Sequence, residues 1–88
     1  MEQPVYRRSA NGRNFYRILS GTAFTEVQLI GSRSIVHDVV AATYPERVLI
    51  ADMVAMTDGH FLPCTPAEFD EAMGRSGGSD LFRPADNR

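Results

Sequence analysis

The sequence predicts a small α+β fold: a mainly antiparallel, meander-like sheet of about five strands with a capped C-terminal helix and one further helix. Two observations lead to it. Residues from Tyr6 to Cys64 fall into short β-like runs punctuated by turns. That run stops at Thr65-Pro66-Ala67-Glu68, where a hydroxyl, a proline at the first helical position and a carboxylate three residues on form a helix-start signature.

Val5-Tyr6-Arg7-Arg8 reads as the first strand, and Asn11-Gly12 as a tight turn, since both residues tolerate positive φ. Asn14–Leu19 is the return strand, with Tyr16 and Ile18 on one face and Phe15, Arg17 and Leu19 on the other. After Ser20-Gly21, Phe24–Ile30 alternates with period 2. Thr25, Val27 and Leu29 line one face and Glu26 and Gln28 the other, as in a half-buried antiparallel strand.

Ser34–Tyr44 is ambiguous. Ile35, Val36, Val39 and Val40 are β-branched, which suits a strand. Their spacing follows a helical stripe, and a strand would bury either His37 or Asp38. The balance tips to helix for this segment. Further on, Thr43-x-x-Glu46 imitates a capping box and Pro45 could open a helix. Asp58-Gly59 between apolar residues is a hairpin signal, so Val48–Met56 and His60–Leu62 read as its two arms. The last helix places Phe69, Ala72 and Met73 on one stripe against the sheet, with Gly74 as its stop.

Residues 1–73 form one domain and 74–88, rich in glycine, serine and polar residues, form a flexible tail. A core this small leaves modest stability. One cysteine, Cys64, precludes an internal disulfide. The first residues have no secretory pattern, and no apolar stretch approaches the roughly 18–20 residues a membrane helix needs. The expectation is a cytoplasmic protein without membrane contact.

All nine basic residues are arginine. Residues 1–33 hold five arginines against two acids, net +3, and the remainder four against nine, net −5. Arg7, Arg8, Arg13 and Arg17, interleaved with Tyr6, Phe15 and Tyr16, form a candidate nucleic-acid or anion contact: arginines would hold phosphates and aromatics would stack on bases. Leu81-Phe82, an apolar pair in the tail, is a candidate for docking on a partner.

The other chemistry is thin. Cys64 lies just ahead of a helix start, where a thiol pKa can fall, with His60 four residues before it; packing explains it better. His37, His60, Cys64, Asp38 and Asp58 show no metal-ligand spacing, and no phosphate-binding loop is present. The expectation is therefore no catalytic site, metal or cofactor. The residues point to a small binding or regulatory protein acting on another protein, or on a second copy, through an edge strand or the tail. Nucleic-acid binding is the alternative.

Overall fold

The structure, a computed structural model, describes residues 3–74 and the backbone of 82–84. Its strands are β1 (Val5–Ser9), β2 (Asn14–Ser20), β3 (Ala23–Ile30), β4 (Arg33–Val40), β5 (Phe61–Pro63) and β6 (Phe82–Pro84); its helices are α1 (Tyr44–Ala55) and α2 (Pro66–Gly74). The expected α+β class is what it shows. The first four strands meander, and β5 returns to the free side of β1, so five strands are antiparallel. β6 adds a short parallel pairing to β4, and the sheet order is β5-β1-β2-β3-β4-β6.

The hairpin joining β1 to β2 forms where the sequence places it. Gly12 has φ +75°, and the Asn11 carboxamide oxygen accepts from the Ser9 hydroxyl at 2.7 Å and from the Arg13 amide at 2.9 Å. Side chains then alternate across the sheet. Tyr16, Ile18, Phe24 and Val39 meet Ile50 and Met53 of α1 on one face. On the other, Val27 and Val36, with Tyr6, Phe15 and Leu29, meet Phe69 and Ala72 of α2. The expected Phe69, Ala72 and Met73 stripe is the one that packs.

Several expectations are corrected. Ser34–Tyr44, read toward helix, is strand β4 over most of its length. Its buried positions imitate a helical stripe because each face of the strand lies under a different helix, Val36 beneath α2 and Val39 beneath α1. The feared burial of a polar residue does occur: His37 is 7% exposed, while Asp38 points to the opposite face and accepts from the Thr25 hydroxyl at 2.8 Å.

Val48–Met56, read as a hairpin arm, lies in α1 and its C-cap. The Thr43–Glu46 capping box outweighs the β-like composition: the Thr43 amide donates to Glu46 Oε1 at 3.1 Å, and the Glu46 amide to the Thr43 hydroxyl at 3.5 Å. Asp58-Gly59 has positive φ at both residues, as a hairpin would, but in a 3₁₀ turn leaving α1 after a left-handed Met56. The arm His60–Leu62 survives only in part as β5, which pairs with β1.

Glu26, expected on a polar face, is also buried, at 7% exposed. Within the segment read as a tail, Phe82–Pro84 pairs with β4. The rest of that reading, over 75–81 and 85–88 and including Leu81, lies outside the described residues, as does the Phe82 side chain.

Candidate functional site

The arginine hairpin does not present one platform. Arg7 lies on the α1 face, where its guanidinium donates to the Met53 carbonyl at 3.0 Å and the Val54 carbonyl at 3.1 Å, and back to the Tyr6 carbonyl at 2.9 Å. The last turn of a helix leaves carbonyls unpaired and carries partial negative charge, which a guanidinium fork suits. Arg17 lies on the α2 face with its guanidinium carbon 5.1 Å from the centroid of the Phe69 ring, a cation–π contact. Arg17 Nε is buried and has no hydrogen-bond partner among the described residues.

Arg8 shares the α2 face, half-buried, and Arg13 is exposed at the turn. The aromatics are packed as well. Tyr6 meets Phe69 edge-on at 5.6 Å, and Tyr16 meets Phe24 and Phe61 at 6.0 and 5.6 Å. Two of the four arginines are thus drawn into the fold, and of the rings expected to stack on bases Tyr6 and Tyr16 meet core rings edge-on while Phe15 packs against the α2-side cluster.

Cys64 is held by its amide, which donates to the Tyr6 carbonyl at 3.4 Å. Its thiol pKa is raised, first by burial and then by the Glu68 carboxylate; Arg8 and Arg7 oppose this without reversing it. A thiol protonated at neutral pH is a poor nucleophile.

The polar row that sequence reasoning passed over runs across the α1 face: Tyr16, Glu26 and His37 are register neighbours on β2, β3 and β4 and all are buried. Asn14 donates to Glu26 Oε2 at 3.1 Å. Strict alternation in β3 suggested a solvated Glu26, and only coverage of both faces, a tertiary property, buries it. Among the described residues, no group of three His, Cys, Asp or Glu is arranged to hold a metal. One cleft, lined by Phe15, Leu29 and Ala72 with Glu68 and Glu71 at its margin, lies between α2 and the sheet.

The least expected surface is α1. Ile50 and Met53 are buried, yet the helix is apolar on its outer side too: Tyr44 is 79%, Val48 38% and Leu49 37% exposed. Only Glu46, Arg47 and Asp52 are charged among its residues. The sheet edges are poorer surfaces. β5 and β6 are three residues each and both end in proline, the usual protection against strand addition.

Comparison with protein families, with curated proteins and with solved structures finds no match for this chain.

Proposed function

We propose that this chain is a small, non-enzymatic protein-binding module whose contact surface is the outer face of α1. The observation that carries the reading is a helix with apolar residues on both sides, only one of which is used by the core. Exposed apolar patches of this kind mark places where another surface docks. A helix face suits docking better than an edge strand here, because the edges are short and proline-ended. A single cysteine, with no second one in the sequence to form an internal disulfide, suits a cytoplasmic setting. Nucleic-acid binding has weaker support, since Arg7 and Arg17 have partners inside the fold.

The test is affinity capture with wild-type protein and a Val48→Asp variant, each with and without nuclease. Nuclease-resistant binding that Val48→Asp abolishes is the expected result. Salt-sensitive oligonucleotide binding that nuclease removes and Val48→Asp leaves intact would replace this reading with the nucleic-acid one.

A further inference from the structure

We infer that the partner of the α1 face is a second copy of this chain, paired helix against antiparallel helix about a two-fold axis; this rests on the protein-binding reading above. Tyr44, Val48, Ala51 and Ala55 are all exposed and are spaced by four, three and four residues, so they form one stripe along the helix. The spacing reads the same in both directions, with its centre midway between Leu49 and Ile50. A two-fold axis at that centre sets Tyr44 against the partner's Ala55 and Val48 against the partner's Ala51.

Large residues occupy one half of the stripe and alanines the other. Each bulky side chain therefore meets a small one, at both ends at once. Self-complementarity of that kind is what an isologous contact requires. Alanine at alternate contact points also lets two helix axes approach to the short end of the usual range, about 8 Å. An antiparallel pair opposes the two helix dipoles favourably.

No charge is trapped in this placement, although the two-fold sets Arg47 on the same side as the second copy's Arg47 and Asp52 on the same side as its Asp52. At about 100° per residue, Arg47 and Asp52 lie about 70° to either side of the stripe, so both form a rim and neither is trapped in the contact. Arg47 is further drawn back toward the sheet, its Nε donating to the Ala41 carbonyl at 3.4 Å. The size of the patch sets the strength. α1 is 12 residues, about 18 Å, so one helix face buries a few hundred Å² per copy, below the roughly 800 Å² of a standard interface. The dimer is accordingly weak and exchanges freely, with a dissociation constant in the micromolar range or above.

The experiment has two arms. Sedimentation velocity from about 10 μM to about 1 mM should show the mean mass of the wild type rising from one chain toward two. Val48→Asp should weaken association at least tenfold with an unchanged far-UV spectrum, and Ala51→Glu gives the same reading at a second exposed position should Val48→Asp disturb the fold. In the second arm, Tyr44→Cys and Ala55→Cys proteins, each also carrying Cys64→Ala, are oxidised separately and mixed. The mixture should form the mixed disulfide. Neither protein alone should, because like positions in the antiparallel pair stand about 16 Å apart along the helices.

A wild type that stays monomeric at 1 mM overturns the second-copy inference. So does a disulfide between two Tyr44→Cys chains without the mixed product, which would mean a parallel pair. A monomer whose capture of another protein is abolished by Val48→Asp refutes the dimer and leaves the protein-binding reading in place. A monomer whose capture is unaffected by Val48→Asp removes both.

Discussion

Arg7 links the first strand to the far end of α1, 46 and 47 residues away in sequence. Its fork fits two successive carbonyls of the last helical turn, that of Met53, which the Met56 amide also reaches, and that of Val54. Arg7→Ala removes three charge-assisted bonds and leaves those carbonyls half-buried, so urea unfolding should show a loss of about 2–3 kcal/mol. Arg7→Lys should recover little, because an ammonium offers no planar pair of donors to the two carbonyls.

Cys64 gives a second prediction at this scale. Its raised pKa predicts slow alkylation by iodoacetamide at pH 7 and a rate that climbs only on the alkaline side of the ordinary thiol value. Glu68→Gln keeps a side chain able to close the capping box but removes the charge that helps raise the thiol, so the inflection should move to lower pH. The sign for stability follows. The folded chain holds the thiol proton more tightly than the unfolded chain. That contribution is complete below the unfolded thiol pKa and is lost as pH rises through the folded value, so stability falls toward alkaline pH. An inflection below the ordinary thiol value would contradict this account.

At the scale of elements, the two helices start alike and differ in quality. The Thr65–Glu68 box has bonds of 2.8 and 3.1 Å, and the Thr43–Glu46 box 3.1 and 3.5 Å. Either threonine replaced by alanine should cost about 1 kcal/mol in chemical denaturation, with Thr65→Ala the more damaging. Equal costs, or the reverse order, would show that bond length does not govern these caps.

The same boxes show what sequence could and could not reveal. Both are visible in the residue string, as are the Asn11-Gly12 hairpin, the strand Phe24–Ile30 and the stripe of Phe69, Ala72 and Met73. In the sequence β4 reads like a helix and α1 like a strand, each for its own physical reason. β4 is covered on both faces, so period-2 alternation disappears from it. α1 leaves apolar residues in solvent, so its composition resembles a buried strand. The proposed contact surface is hidden by that second fact: Tyr44, Val48, Ala51 and Ala55 become a stripe only once the segment is helical.

For the whole molecule, the arrangement of charge along the chain did not become an arrangement of charge in space. Four arginines close together in sequence separate onto two sheet faces and a turn, because neighbours on a strand point opposite ways. The two helices cover opposite faces, and within that scheme every described aromatic except Tyr44 is at least partly buried.

The strand order has a further consequence, in time rather than in space. Contacts among β1, β2, β3 and β4 join chain neighbours and close short loops, whereas β5 reaches β1 across more than fifty residues. Loop-closure entropy makes the long connection the last to become favourable. The meander should therefore nucleate folding, and the β1–β5 pairing with its Arg7 clasp should form after the rate-limiting step. On that view Arg7→Ala lets the protein unfold some thirtyfold faster or more, as its equilibrium cost implies, and hardly slows folding. Stopped-flow chevrons would show the change in the unfolding arm, and a change confined to the folding arm would place the clasp in the nucleus.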